Sequence, residues 1–149
     1  MPTNTPLPTS TPIPTASSTT EPPPEPIMLT GYGDSIVDVQ KWDGAAVLHA
    51  KYNGERNFAI ENYGPGNDYL DLLVNTIGAY DGVVPVDFFE SEYTVRLKVT
   101  ASDSWEIEIL PLQSLPEYDL PALIFDKGDK VVYLKGGNAD VITADASPW

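Results

Sequence analysis

The stretch YTVRLKVTASDSWEIEI, residues 93–109, places apolar side chains at every second position. The alternation runs first from Tyr93 to Val99 and then from Trp105 to Ile109, with polar or charged side chains between. A period of two is typical of antiparallel strands that have one face on a core and the other in solvent. The intervening Ser-Asp-Ser predicts a turn, so the stretch predicts two consecutive strands.

Further candidate strands and turns follow in both directions along the chain. The strands are IVDV (36–39), AVLHAKY (46–52), NFAIEN (57–62), YLDLLVN (69–75), VPVDFF (84–89), KVVYL (130–134) and DVITA (140–144). Glycine-containing turn signals lie between them, at 43–44, 53–54, 64–68, 81–82 and 135–137. The pattern predicts an all-β fold, a two-sheet antiparallel β-sandwich of jelly-roll or Greek-key type with about eight to ten strands.

The stretch 111–122 interrupts this pattern with three prolines, Pro111, Pro116 and Pro121. Proline removes a backbone donor, so the stretch predicts neither a helix nor a central strand. We expect a crossover between the sheets or along an edge.

Residues 1–26 differ in composition from residues 27–149. The first segment holds nine of the fifteen prolines, seven threonines and no aromatic residue. It has too little apolar surface to offset the entropy of ordering. We therefore predict a disordered Thr/Pro-rich linker at 1–26, of the kind that forms tethers or glycosylated stalks. Residues 27–149 are predicted to form one β-sandwich domain.

Charge and the lack of cysteine restrict the classes of function. The chain has a net charge of −14 and no cysteine. A negative field repels nucleic acids and anionic membrane surfaces. Without thiols there are no disulfides, cysteine nucleophiles or cysteine-based zinc sites. No apolar run is long enough for a membrane span and no signal peptide follows Met1. We expect an extracellular or cell-surface location, with a signal or anchor upstream of Met1.

The phrase GDSIVDV at 33–39 has a partner, GDKVVYL at 128–134, which begins 95 positions later. In each, glycine would permit a left-handed turn and aspartate would cap that turn. We predict that residues 126–149 repeat the strand pair of residues 31–53. Three arrangements are open: two related hairpins in one sandwich, the start of another module, or a strand that completes a neighbouring subunit's sheet.

An oxygen-rich loop is the candidate metal site. Asn67, Asp68 and Asp71 offer amide and carboxylate oxygens, and calcium takes six to eight oxygen ligands. The fixed glycine and closing glutamate of an EF-hand are absent from this spacing. The alternative is a solvated turn, and no cofactor other than calcium is predicted.

Aromatic side chains divide into predicted core and predicted loop positions. Those that fit the core are Phe58, Phe88, Tyr93 and Trp105. Those in or near loops are Trp42, Tyr63, Tyr69, Tyr80 and Tyr118. Loop aromatics either close the ends of a sandwich core or stack on a ligand such as a sugar ring. We take Trp42, Tyr63, Tyr69 and Tyr80 as the candidate ligand-binding residues.

The single histidine, His49, is predicted on the outer face of its strand beside Val47 and Lys51. The sequence signals no nucleophile or second metal ligand for it, so neither a catalytic triad nor a histidine metal site is predicted. A glycosidase would need two carboxylates facing each other across a cleft, and the number of acids alone does not predict that. We predict no catalytic residue.

The segments NFAIENYGPGNDYLDLLVNTIGAYDG (57–82) and LKVTASDSWEIEILP (97–111) resemble bacterial secreted β-sandwich modules. These include the pre-peptidase C-terminal type of jelly roll and uncharacterised repeats that begin G-x-G-D. The resemblance covers about residues 31–145 and rests on a strand, an Asp-bearing loop, a Leu-rich strand and a late W-x-I-x-I. It implies a non-catalytic appendage of a larger secreted or surface protein, and it assigns no functional residue.

From these observations we expect a non-catalytic extracellular module for adhesion, spacing or ligand presentation. The alternatives are a carbohydrate- or calcium-dependent binding module and a self-assembling fibre subunit that exchanges strands. The expected partners are a glycan or cell-surface component, and a second copy of the chain through residues 126–149. Neither nucleic-acid binding nor direct membrane insertion is expected.

Overall fold

The computed structural model describes residues 22–125 and 127–136, and two four-stranded antiparallel sheets dominate it. The first sheet contains β1 (Ile27–Tyr32), β3 (Ala46–Tyr52), β6 (Tyr80–Val86) and β8 (Ser104–Pro111), in the order β1-β8-β3-β6. The second contains β2 (Ser35–Asp38), β4 (Asn57–Tyr63), β5 (Tyr69–Ile77) and β7 (Arg96–Thr100), in the order β2-β7-β4-β5. The inner faces of the two sheets share one hydrophobic core.

The connections between these eight strands are those of a jelly roll. Only β4 and β5 are neighbours both in the chain and in a sheet, while every other consecutive pair crosses from one sheet to the other. The first strand pairs with the last, and the second pairs with the seventh. Eight strands wound in this way form two packed sheets. The predicted all-β, two-sheet antiparallel sandwich is therefore confirmed.

The core consists of alternate side chains from both sheets. Those at most 1% exposed include Leu48, Ala50, Tyr52, Ile107 and Ile109 from the first sheet and Phe58, Ile60, Leu97 and Val99 from the second. The Tyr52 ring stacks on Phe58 across the interface, with centroids 4.5 Å apart. Trp105 is 3% exposed, so the core positions predicted for Phe58 and Trp105 are confirmed. Each such burial stabilises the fold by roughly 1.5–3 kcal/mol.

The first Gly-Asp pair forms the corner between β1 and β2, where the chain leaves one sheet for the other. Gly33 has a φ of 67°, in the left-handed region that favours glycine. Its carbonyl oxygen accepts a hydrogen bond from Trp105 Nε1 at 3.0 Å. Asp34 Oδ1 accepts one from the Ala101 amide at 3.0 Å. The left-handed glycine is as predicted, and the aspartate caps the neighbouring β7–β8 connection.

The second Gly-Asp pair packs against the edge of the first sheet. Gly128 is also left-handed, with a φ of 76°. The Val83 amide of edge strand β6 donates to the Asp129 carbonyl oxygen at 2.7 Å. Residues 126 and 137–149, including the predicted strand DVITA, and residues 1–21 of the predicted linker lie outside the described residues. The repeat of the 31–53 strand pair and self-association through 126–149 therefore stay predictions.

The proline-containing stretch 111–122 begins at the last residue of β8. A 3-10 turn follows at Leu112–Ser114, and Glu117–Asp119 forms the short strand β9. This strand pairs in parallel with β10, Tyr133–Lys135, outside both sheets of the sandwich. The stretch therefore contains one short strand, β9, whose partner β10 lies further along the chain. Within the described residues it joins no strand of one four-stranded sheet to a strand of the other, so the predicted crossover between the sheets is not found.

The predicted core positions of Phe88 and Tyr93 are wrong. Phe88 is 49% exposed and Tyr93 is 36% exposed. The reason is that β6 ends at Val86, and Asp87 then adopts a φ of 55°. The Asp87 carboxylate accepts hydrogen bonds from the Thr94 amide and hydroxyl, so Thr94 takes the buried position that alternation had given to Tyr93.

The predicted turn at Asp81-Gly82 is also wrong, because both residues lie inside β6. Asp81 pairs with Lys51, and Gly82 pairs with Ala50. The turn between β5 and β6 lies earlier, at Gly78, whose φ is 91°. The strand β6 starts at Tyr80 and ends at Val86, three residues before the predicted strand VPVDFF would have ended.

The contact between Tyr80 and Asp129 predicts a loss of stability at high pH. The Tyr80 hydroxyl donates to Asp129 Oδ2 at 2.7 Å. Burial, followed by the hydrogen bond to Asp129, raises the pKa of Tyr80 above its ordinary range. The folded chain therefore holds the phenol proton more tightly than the unfolded chain does. Its contribution is complete below about pH 10 and is lost as the pH rises further.

Tyr80→Phe should therefore reduce the fall in unfolding free energy between about pH 9 and pH 11.5, as measured by urea denaturation. Tyr32→Phe is the matched control, because Tyr32 is largely exposed. An equal pH dependence for the wild type and Tyr80→Phe would contradict the assignment.

Candidate functional site

One row of side chains crosses all four strands on the outer face of the second sheet. Asp38 of β2 lies opposite Arg96 of β7, Arg96 lies opposite Tyr63 of β4, and Tyr63 lies opposite Tyr69 of β5. Because side chains alternate across a sheet, these four point away from the core. We call Asp38, Tyr63, Asn67, Tyr69 and Arg96 the tyrosine face.

The two tyrosines form an edge-to-face pair. The ring centroids of Tyr63 and Tyr69 are 5.8 Å apart, and the rings are inclined at 77°. Edge-to-face contact is a preferred geometry for aromatic pairs and fixes the orientation of both rings. Tyr69 nevertheless remains 57% exposed, so much of its surface is open to a ligand.

The guanidinium group of Arg96 is held on both sides. Its Nε and Nη2 lie 2.8 Å and 2.7 Å from Asp38 Oδ1. Its Nη1 donates to the side-chain oxygen of Asn67. Asn67 reaches this position from the β4–β5 turn, where it adopts a φ of 68°, which asparagine tolerates better than most residues. The planar donors of Arg96 therefore have a fixed direction beside the tyrosines.

A second charged pair lies next to the tyrosine face. Glu61 Oε2 accepts hydrogen bonds from the Tyr63 hydroxyl at 2.7 Å and from Lys98 Nζ at 2.8 Å. The hydrogen bond from Lys98, followed by that from Tyr63, lowers the pKa of Glu61. The hydrogen bond to Glu61 raises the pKa of Tyr63 and also that of Lys98. At neutral pH Tyr63 is therefore an uncharged phenol tied to a carboxylate.

Apolar side chains flank this polar row. Ile36 lies opposite Lys98, and Leu72 lies opposite Glu61, both on the outer face. Ile36 and Leu72 are exposed, as is Ile77 at the far end of β5. The outer face of the second sheet therefore offers aromatic, aliphatic and hydrogen-bonding groups to solvent.

The structure brings together two of the four predicted ligand-binding residues. Tyr63 and Tyr69 meet on the outer face, whereas Trp42 and Tyr80 lie elsewhere. Trp42 packs partly against the core and lines a separate cleft of about 730 Å³ with Pro22–Pro24. Tyr80 packs against Phe58, with ring centroids 6.0 Å apart, and its hydroxyl donates a hydrogen bond to Asp129.

Sequence reasoning missed Arg96 and Asp38 as members of a site. Alternation placed Arg96 on an outer face, but only the order of the strands shows that Tyr63 is its neighbour.

The predicted calcium loop lies between β4 and β5. Asn67 uses its side-chain oxygen on Arg96, and Asp71 Oδ1 accepts a hydrogen bond from the Leu72 amide at 2.7 Å. The Asp68 carbonyl oxygen accepts one from the Gly64 amide at 2.8 Å and closes the turn. Within residues 22–125 and 127–136, no group of three acidic, histidine or cysteine side chains could hold a metal ion. Calcium binding by this loop stays a prediction.

His49 lies on the outer face of the first sheet, as predicted. Its Nε2 is 2.7 Å from Asp81 Oδ1, and its Nδ1 is 4.0 Å from Glu108 Oε2. The hydrogen bond with His49 lowers the pKa of Asp81. Val47, which was predicted to share this open face, is fully buried.

No protein-family model, curated protein or solved structure gives a significant match to this chain. In the part of the chain that the structure describes, no helix has both the length and the apolar character of a membrane span.

Proposed function

We propose that this chain is a non-catalytic binding module of an extracellular protein and that its tyrosine face holds carbohydrate. The observation that carries the proposal is the Tyr63–Tyr69 pair, in which Tyr69 is exposed and Tyr63 is half-buried, beside a guanidinium group already fixed by Asp38 and Asn67. Rigid aromatic groups next to oriented polar groups are typical of binding surfaces that bind without large ordering costs.

The chemistry of a sugar ring fits these groups. A pyranose presents C–H groups on its faces and hydroxyl groups around its edge. The C–H groups pack on an aromatic ring such as that of Tyr69, and the hydroxyls exchange hydrogen bonds with the Arg96 donors and the Asp38 carboxylate. The aliphatic groups of Ile36 and Leu72 extend the surface for further sugar units.

The charges of this surface favour a neutral saccharide over an acidic one. Arg96 is paired with Asp38, and Lys98 is paired with Glu61. No uncompensated cation of these two pairs is left for a polyanion, and the chain has a net charge of −14. Long-range repulsion therefore acts against anionic polymers such as nucleic acids or sulfated glycans.

An extracellular location is supported by the sequence of the linker. The Thr/Pro-rich residues 1–26 resemble a tether, which would let the module reach a glycan surface away from its parent protein. Binding through such a tether gains from multivalency when several modules or several sugar units are present.

Tyr69→Ala should weaken binding to a neutral oligosaccharide about tenfold, which corresponds to ~1.4 kcal/mol. The oligosaccharide would be the strongest one on an array of neutral and acidic glycans, and binding would be measured by calorimetry. Tyr69→Phe should keep most of the affinity, because it keeps the ring. Tyr32→Ala removes an even more exposed tyrosine from the first sheet and should leave binding unchanged.

The proposal fails if no glycan on the array binds. It also fails if Tyr69→Ala binds as tightly as the wild type.

A further inference from the structure

A concave site lies beside residues 43–45 and 87–93 and shares no residue with the tyrosine face. It is a cleft of about 360 Å³. Three aromatic side chains, Phe88, Phe89 and Tyr93, line it. Three carboxylates, from Asp43, Glu90 and Glu92, line it as well.

The aromatic walls are open to solvent. Phe89 is 73% exposed and Phe88 is 49% exposed. Two adjacent phenylalanines at this exposure are costly in water and are the kind of anchor that concentrates binding energy in protein interfaces. Their exposure therefore favours an occupant that covers them.

A buried ion pair holds the two sides of the cleft in place. Lys41 Nζ is 3.0 Å from Asp87 Oδ2, and both side chains are fully buried. Lys41 Nζ also donates to the carbonyl oxygen of Gly44 on the opposite side, at 2.5 Å. The loop that carries Phe88 and Phe89 thus begins at a fixed point, and the cleft is preformed.

The Asp87 carboxylate is not free to bind a ligand. Besides Lys41, it accepts hydrogen bonds from the Thr94 amide at 2.8 Å and the Thr94 hydroxyl at 2.6 Å. Its charge and that of Lys41 offset each other. The net charge that an occupant meets is therefore set by the other three carboxylates.

Those carboxylates and the aromatic rings both favour a cationic ligand. Glu92 Oε2 accepts a long hydrogen bond from the Phe89 amide, at 3.3 Å. Asp43 and Glu90 are exposed. Aromatic faces attract cations through the ring quadrupole, and carboxylates attract them directly. An acidic chain with a charge of −14 adds long-range attraction for a basic partner.

We propose that this cleft binds a lysine or arginine side chain presented by a partner protein. A side chain on a protein surface is favoured over a free small cation because the exposed phenylalanine surface extends beyond what one cationic group would cover. Small ligands are usually enclosed over most of their surface, whereas flanking residues of a protein partner would bury Phe88 and Phe89.

The test is an NMR titration of the isotope-labelled full chain with the peptide acetyl-Gly-Gly-Lys-Gly-Gly-amide. The matched probe carries norleucine in place of lysine, which keeps the aliphatic chain and removes the charge. Both titrations are run at one ionic strength. We expect saturating shifts at residues 43–45 and 87–93 with the lysine peptide and at least tenfold weaker binding of the norleucine peptide.

Variants then assign the binding to the cleft. Phe89→Ala and Glu90→Gln should each weaken binding of the lysine peptide several-fold. The signals of residues outside the cleft should stay unchanged. Glu55→Gln, which neutralises an exposed glutamate outside the cleft, should bind as the wild type does. Tyr69→Ala should also bind normally, which keeps this test separate from that of the tyrosine face.

Three results would overturn the proposal. Equal binding of the norleucine peptide would mean that charge has no role. Binding of free lysine as tight as that of the peptide would indicate a small-molecule site. The absence of shifts in the cleft at millimolar lysine peptide and equally at millimolar arginine peptide would exclude a basic side chain.

Discussion

Asp87→Ala is expected to lower the free energy of unfolding by about 3–5 kcal/mol. Removing one member of a buried ion pair leaves the other as an uncompensated charge in the protein interior. Lys41 would keep its contacts with the carbonyl oxygens of Trp42 and Gly44, at 3.0 Å and 2.5 Å, but would lose its only counter-ion in the described part of the chain. Two carbonyl dipoles do not replace a carboxylate.

The same substitution removes further hydrogen bonds. The Thr94 amide and hydroxyl both donate to Asp87, and the Thr94 hydroxyl oxygen also accepts from Asn62 Nδ2 at 2.8 Å. Asn62 and Thr94 are buried, so water cannot easily compensate for the lost acceptor. The side-chain oxygen of Asn62 already has no partner within the described residues, which makes this network sensitive to any loss.

Urea denaturation of the full chain measures this effect, and Asp38→Ala provides the comparison. Asp38 also pairs with a cation, Arg96, but its side chain is 71% exposed. Exposed pairs contribute at most about 1 kcal/mol. Similar reductions in unfolding free energy from Asp87→Ala and Asp38→Ala would contradict the account of a buried network.

Phe58→Ala is expected to lower the free energy of unfolding by about 3–5 kcal/mol, because it opens a cavity between the two sheets. Phe58 belongs to the second sheet and is fully buried. Its ring lies 4.5 Å from that of Tyr52 and 6.0 Å from that of Tyr80, both of which belong to the first sheet. The substitution therefore removes contacts that hold the sheets together, and the neighbouring rings are too large to collapse fully into the space.

Phe125→Ala is the matched control, since Phe125 is 90% exposed. A truncation at such a position changes stability by about 0.5 kcal/mol or less. If Phe58→Ala and Phe125→Ala had equal unfolding midpoints in urea, Phe58 could not lie between packed sheets.

Alternation in the sequence was sufficient to predict the two-sheet sandwich and much of its core. Leu97, Val99, Ile107 and Ile109 lie inward as the pattern indicated, because a period of two leaves each strand only one apolar face. The pattern failed at Tyr93. Which of Tyr93 and Thr94 is buried depends on Asp87, seven residues earlier, and on the positive φ that ends β6 there.

The tyrosine face could be predicted only in part. The sequence indicated Tyr63 and Tyr69 as ligand-binding residues and Asn67 as a candidate calcium ligand. It could not indicate that Arg96 and Asp38 lie beside them, since that follows from the order β2-β7-β4-β5. Strand order in a jelly roll depends on pairings between residues far apart in the chain, and local patterns do not encode them.

Mapping the bound sugar by NMR tests the proposed function most directly. The probe is the neutral oligosaccharide that binds most strongly on the array, titrated into the labelled full chain. The account predicts that the largest shifts fall on Asp38, Tyr63, Tyr69 and Arg96. Shifts confined to the first sheet, around His49 and Glu108, would contradict it.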